Sequence, residues 1–176
     1  MKEKLIGEDR RKLLLEWLKT AHEPITGSVL AKKTNVSRQV IVQDISILKA
    51  RNTPILSTSQ GYLMMSPSRP NAFRKKIACC HSADKNVTQE ELQIIVDQGA
   101  TVLDVTVEHQ LYGDITASLM IACRRDVHEF IKKFTETEAT LLSELTGGVH
   151  LHTIEAPEEK ILIETEKSLK EAGFLL

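Results

Sequence analysis

Apolar and polar positions follow a helical period through the first fifty residues of this chain and a mixed strand-and-helix pattern after about residue 72. Leu14, Trp17, Leu18 and Ala21 recur at i, i+3, i+4 and i+7, the stripe of a half-buried helix. Glu8 and Asp9 suit its positive end, and His22-Glu23-Pro24 ends it, because the residue before proline leaves helical geometry. A second helix is expected from about Thr26-Gly27-Ser28, burying Leu30 and the small Ala31. The turn Thr34-Asn35-Val36, with Val36 as a packing plug, leads into a third, capped by Ser37 and buried through Ile41, Ile45 and Leu48. Two short helices joined by a tight turn make a helix-turn-helix. Ile55-Leu56-Ser57 and Tyr62-Leu63-Met64-Met65 then flank Thr58-Ser59-Gln60-Gly61, a hairpin with Gly61 supplying the turn. Such a hairpin is marginal alone, so it packs on the helices, and residues 1–66 read as a winged helix.

Ser66-Pro67-Ser68-Arg69-Pro70-Asn71-Ala72 is polar with two prolines, a short linker over 67–72. From Phe73 the periods alternate. Lys76 to His81 reads as a strand, and Thr88 with Glu91 reads as a capping box opening a helix buried through Leu92, Ile95, Val96 and Gly99. Val102 to His109 is a strand with Leu103, Val105, Val107 and His109 on one face and Val102, Asp104, Thr106 and Glu108 on the other. Ile115 to Ala122 makes the next strand. Asp126 begins a helix with Val127, Phe130, Ile131 and Phe134 inward, and Val149 to Ile154 is a fourth strand. Pro157 opens a last helix burying Ile161, Thr165, Leu169 and Ala172. The order β-α-β-β-α-β-α over 73–176 is met most simply by a four-stranded sheet with helices on one face, a ferredoxin-like sandwich or a relative of it, so the whole is α+β.

Charge sharpens this division. Residues 1–65 hold eleven Lys or Arg against six Asp or Glu, and the whole chain is −1, so the remainder is −6. A basic front and an acidic body suit an arm that meets phosphates and a body that does not. No apolar run approaches a membrane span, the start lacks a signal-peptide core, and three cysteines make no disulfide framework, which points to the cytoplasm.

The third helix presents Arg38, Gln39, Val42, Gln43, Ser46 and Lys49 opposite its buried stripe. Arg can read guanine, Gln adenine, and an apolar methyl thymine. Ser37, Arg38, Gln39 and Gln43 are therefore the expected contacts to bases and phosphates of duplex DNA, with Lys32 and Lys33 on phosphates. The competing readings are an ordinary amphipathic helix or a winged helix that binds protein.

Histidines carry the candidate chemistry of the body. His150 and His152, two apart on one strand, share a face about 7 Å apart at the backbone. His81 ends the first strand, and Glu91 lies on the helix after it. His81, Glu91, His150 and His152 make an N₃O set for one divalent transition metal, and zinc, nickel, iron and manganese all tolerate that mixture. The bland alternatives are a solvated His-x-His and a Glu91 that only caps its helix. Cys79 shares the face of His81 and could approach, whereas Cys80 points away, and Glu91 is preferred to Glu90 because it directly precedes Leu92. His109 continues an apolar face and could line a pocket, while His22 and His128 read as surface residues.

The run Ser37-Arg38-Gln39 joined to a body carrying His81, His109-Gln110-Leu111-Tyr112-Gly113 and Gly148-Val149-His150-Leu151-His152 resembles the NiaR family of niacin-responsive repressors, over essentially the whole chain. Gln110 departs from the proline the family often has there. The resemblance implies a homodimeric repressor of NAD-biosynthesis or niacin-uptake genes, with nicotinic acid as co-repressor and a metal on His81, Glu91, His150 and His152. His109, Tyr112 and Arg124 or Arg125 are weaker candidates for the ligand pocket. The rival readings are a metal-sensing repressor, a generic amino-acid sensor, and a metalloenzyme with a regulatory arm, against which no nucleophile elbow or phosphate loop is present.

Overall fold

The computed structural model describes residues 7–65, 72–137 and 139–176. The linker expected at 67–72 lies outside the described residues except for Ala72. The chain divides into two compact units, 1–67 and 68–176.

In the first unit, α1 (Gly7–Thr20), α2 (Gly27–Thr34) and α3 (Arg38–Ala50) precede a two-stranded hairpin of β1 (Ile55–Thr58) and β2 (Gly61–Met64). Thr26 caps α2 by accepting from the Val29 N–H at 3.2 Å, and Ser37 caps α3 by accepting from Val40 at 3.4 Å. Asn35 makes the turn between them at φ 53°, a left-handed conformation that asparagine tolerates. Leu14, Leu18, Leu30, Ala31, Ile41, Ile45, Leu48 and Ile55 form the core, with Trp17, Val36 and Tyr62 packed against it. Gly61 is not in the turn, which is Ser59-Gln60, but is the first residue of β2. Its role is close approach: a Cβ there would sit 2.6 Å from the Ile25 backbone, to which the wing is pinned by paired bonds between Ile25 and Tyr62.

The second unit is a four-stranded antiparallel sheet in the order β3-β6-β4-β5. Its elements are β3 (Phe73–Cys80), α4 (Lys85–Asp97), β4 (Thr101–His109), β5 (Gly113–Ile121), α5 (Arg124–Thr137), a 3₁₀ turn (Leu142–Thr146), β6 (Val149–Ala156) and α6 (Glu159–Glu171). The sheet with helices is thus present, as a relative of the ferredoxin-like arrangement. That fold puts its first and third strands in the centre, whereas here the second and fourth, β4 and β6, hold it. One core unites Ile77 and Cys79 of β3, Leu92 and Ile95 of α4, Val102, Ile121, Val127, Ile154, Leu162 and Leu169.

Several local expectations change. Asp84 caps α4, its carboxylate accepting from Asn86 and Val87, so Thr88 lies inside the helix and Glu91 is freed from a capping role. Gly99 lies beyond that helix, exposed, at φ 91°. A bulge between Val102 and Asp104 puts an extra residue in β4. Val102 therefore joins the core through Ile154, on the same side as Val105, which faces His152, and the strict alternation expected for this strand fails. Pro157 precedes the Glu158 cap of α6, whose buried residues are Leu162, Thr165 and Leu169, with Ala172 exposed.

Candidate functional site

In the second unit, three imidazoles meet one carboxylate beneath α4. Register explains their convergence. His150 pairs with Cys79 and His152 with Ile77, so both histidines face the helix side of the sheet. His81 follows the end of β3, and Glu91 descends from α4 with 1 % exposure. Nε2 of His81 lies 2.8 Å from Glu91 Oε2, that of His150 3.3 Å from Oε1, and that of His152 3.5 Å from Oε2. Neighbouring rings stand edge to face, His81 on His150 at 4.9 Å and His150 on His152 at 4.8 Å between centroids. Glu90 is exposed and takes no part.

The opposite ring nitrogens decide what this cluster can do. Nδ1 of His81 bonds the Ser82 carbonyl at 2.7 Å, that of His150 the Gly148 carbonyl at 2.8 Å, and that of His152 the Asp104 carbonyl at 2.7 Å. A carbonyl only accepts, so each Nδ1 carries the proton. Each neutral ring then turns an Nε2 lone pair toward Glu91, itself an acceptor. Four acceptors converging in a buried site need a positive centre between them, either protons or a metal ion. Atoms bound tetrahedrally at zinc distances lie roughly 3.3 Å apart, close to the separations found. These three nitrogen–oxygen separations suit a divalent transition metal, and among the described residues the ligand atoms that all lie within 4.8 Å of one another are those of Cys79, Glu91 and His150.

Electrostatics agree. Burial alone would raise the Glu91 carboxyl, but the charge of His152 and the bonds from all three histidines hold it well below the usual range. For His81 and His152 burial pushes downward, yet Glu91 prevails and both rings hold their protons above the ordinary value. Cys79 is fully buried behind the cluster, its sulfur, a Glu91 oxygen and a His150 nitrogen lying within 4.8 Å of one another. Burial, aided by Glu91, pushes its thiol far up; a bound cation would oppose that shift, so Cys79 stands as a further candidate ligand.

A cleft of about 40 Å³ opens beside the cluster. His81, Glu91, His150 and His152 form its polar end, and Val105, Leu119, Phe130 and Leu142 its apolar wall. The structure does not bring His109, Tyr112 or Arg124 there. His109 caps the β4–β5 turn, Nδ1 accepting from the N–H groups of Leu111 and Tyr112, and it stacks on the exposed Tyr112. His109 is expected on an apolar face, but the hairpin turn draws it into its own hydrogen bonding. Arg124 is exposed and paired with Asp97, and Arg125 is exposed at the start of α5. The carbonyl anchors and Gly148 escaped sequence reasoning, and the sequence marks Thr88 only as a helix cap. The pair Gly147-Gly148 ahead of a His-x-His strand was the available signal.

In the first unit, Arg38, Gln39 and Gln43 lie exposed along α3, as do Ser37 at its start and Lys32 and Lys33 on α2. Lys33 stands over the Trp17 ring at 5.0 Å. The buried side of α3 holds a group unnoticed in the sequence, Asp44, 2 % exposed and bound by Arg10 at 2.5 Å and Arg11 at 2.9 Å. Arg51 pairs with Glu8 at 2.7 Å, so three of the basic residues counted in this region act within the fold.

The 3H domain family matches residues 74–176, and an HTH domain family matches 10–63. The chain is 52 % identical over 175 residues to the transcription repressor NadR of Bacillus subtilis, covering 98 % of this chain and 96 % of that one. It is 35 % identical over 173 residues to the probable transcription repressor NiaR of Thermotoga maritima, covering 98 % and 97 %.

Proposed function

This chain belongs to the NadR/NiaR family of 3H-domain transcription repressors, regulators and not enzymes, and from that premise we propose that it is a niacin-responsive repressor. In this reading residues 1–66 bind operator DNA, and 73–176 hold one divalent metal and nicotinic acid as co-repressor. The genes controlled are those of NAD biosynthesis or niacin uptake. The observation that carries the metal is the set of three Nε2 lone pairs facing a buried carboxylate, each ring fixed by a backbone carbonyl. His81, Glu91, His150 and His152 are the proposed ligands, and nickel or zinc suits three imidazoles and one carboxylate.

A bound cation would supply positive potential beside the apolar wall and draw a carboxylate toward it. The chain's own residues do the rest: Leu119, Phe130 and Leu142 cover an aromatic face, and Glu91 with the histidines lines the polar end. An aromatic ring needs more room than the present cleft. A cavity of roughly 150 Å³ accommodates benzene, so nicotinate binding requires this cleft to widen. On the DNA side, Arg38, Gln39 and Gln43 read base edges, and Ser37, Lys32 and Lys33 meet phosphates. A homodimer would present two such helices to half-sites about 34 Å apart or a multiple of that. Linkage requires that nicotinate tighten operator binding by the factor that operator tightens nicotinate binding.

The test is an electrophoretic shift on the promoter of a NAD-biosynthesis operon, with metal and nicotinic acid varied independently. Retardation that strengthens with nicotinate at saturating metal supports the proposal. Retardation indifferent to nicotinate and dependent on metal supports a metal sensor instead, a reading favoured by the small size of the cleft.

A further inference from the structure

On α4, one turn before Glu91, a buried hydroxyl stands without a partner. Thr88 is 7 % exposed, its Oγ1 makes no hydrogen bond, and the residue lines the cleft beside His81, Glu91, His150 and His152. A threonine within a helix commonly gives its hydroxyl proton to the carbonyl four residues back. Elsewhere in this chain Thr34, Thr135 and Thr165 do so, at 2.7, 3.0 and 2.7 Å. At Thr88 the corresponding carbonyl, that of Asp84, takes the backbone N–H at 2.9 Å as in any helix, but the hydroxyl does not join it and is unbonded. A buried hydroxyl without a bond destabilises the fold. An apolar residue of the same shape would serve the packing of this helix better.

We propose that Thr88 is a ligand-binding residue, whose hydroxyl donates a hydrogen bond to the carboxylate of an aromatic acid seated in this cleft. The inference rests on the reading of the cleft as the nicotinate site and names the chain's own donor within it. A bond from a neutral hydroxyl to an anion is stronger than one to an uncharged amide. Thr88 therefore favours the acid over its amide, while the apolar wall holds the ring common to both.

The experiment uses the full chain loaded with zinc and titrated calorimetrically with nicotinate and with nicotinamide, as wild type, Thr88→Val and Thr88→Ser. Valine keeps the shape of threonine and removes the hydroxyl. Thr88→Val is expected to bind nicotinate roughly 10- to 100-fold more weakly, with a smaller change for nicotinamide, and Thr88→Ser to stay close to wild type. In the absence of ligand Thr88→Val should melt above wild type, because an unbonded hydroxyl has gone from the interior. Wild-type nicotinate affinity in Thr88→Val overturns the assignment. So does a lower melting temperature or failure to fold, which would show the hydroxyl to be satisfied within the fold. If the zinc-loaded wild type binds no nicotinate, the niacin reading falls with it, whereas an unaffected Thr88→Val sinks Thr88 alone.

Discussion

Gly148 offers a way to disable the histidine cluster without touching any of its four side chains. It lies just before β6 at φ 103°, and a Cβ added there would come 2.2 Å from the His81 carbonyl oxygen. That is 0.8 Å inside the 3.0 Å below which Cβ atoms are essentially never found. The obstacle is backbone and cannot swing aside, since the neighbouring Cys80 N–H is tied to the Phe174 carbonyl at 2.9 Å. The same glycine's carbonyl accepts from His150 Nδ1 at 2.8 Å and from the His81 N–H at 3.4 Å. Gly148→Ala must therefore displace His81 or rotate a peptide that aims two of the rings. Backbone strain of about 1–3 kcal/mol and one weakened hydrogen bond of about 1 kcal/mol sum to roughly 2–4 kcal/mol. Misplaced outer partners of metal ligands typically lower affinity about 10- to 100-fold. Competition between the protein and a fluorescent zinc chelator measures the second quantity, and thermal denaturation the first. Gly147→Ala is the control: its φ is also positive, 64°, but nothing lies within 4 Å of the added atom. It should lose a little stability and no zinc affinity. Zinc binding in Gly148→Ala equal to wild type would refute the claim that this peptide aims the site.

Asp44→Asn should leave Arg10 and Arg11 facing a neutral amide in a buried position, at about 3–5 kcal/mol. Trp17, the chain's single tryptophan, packs on that unit's core and reports its unfolding in denaturant. An unshifted midpoint would count against it. Arg38→Ala should weaken operator binding by about 1–3 kcal/mol with no change in nicotinate affinity, measured by fluorescence anisotropy, and an unchanged dissociation constant removes Arg38 from the reading face. For pH, His81 and His152 are raised above their ordinary 6.5 by Glu91 and by their backbone carbonyls, once the opposing effect of burial is overcome. Their contribution to the metal-free fold is complete below 6.5 and is lost as pH climbs through the raised values. Metal binding has the opposite sign, since its ligands must lose their protons. Melting temperature should therefore fall between pH 6 and 8 with chelator present, and the gain on adding zinc should grow over that range. A zinc-induced gain that shrinks with pH would contradict this assignment.

Much of this was legible in the sequence where the cause is local. Ser37 caps its helix because a short oxygen side chain at that position has a free N–H beside it, whatever the rest of the chain does. The histidine pair on β6 follows from strand alternation alone. Glu91 was identified by its neighbour Leu92, since adjacent positions on a helix can both turn inward at the edge of a wide buried face. The bulge in β4 was not legible, because one extra residue leaves no mark in the apolar pattern and appears only as register against β6. Asp84 takes the cap expected at Thr88 because its carboxylate reaches two N–H groups at once. His109 went astray for a related reason: a turn that consumes its ring nitrogen is settled by loop geometry and not by the strand's alternation.

On their Nδ1 side the three imidazoles are steered by main-chain oxygens of Ser82, Asp104 and Gly148 and by no side chain. Genetic drift at those three codons can alter what hangs from the backbone without removing the atom that does the steering. The set is thereby insured against most missense change in its supports, and its exposure narrows to replacements that bend the polypeptide itself. Laboratory evolution that randomised this neighbourhood should accordingly retain metal-competent clones with varied residues at 82 and few survivors at 148.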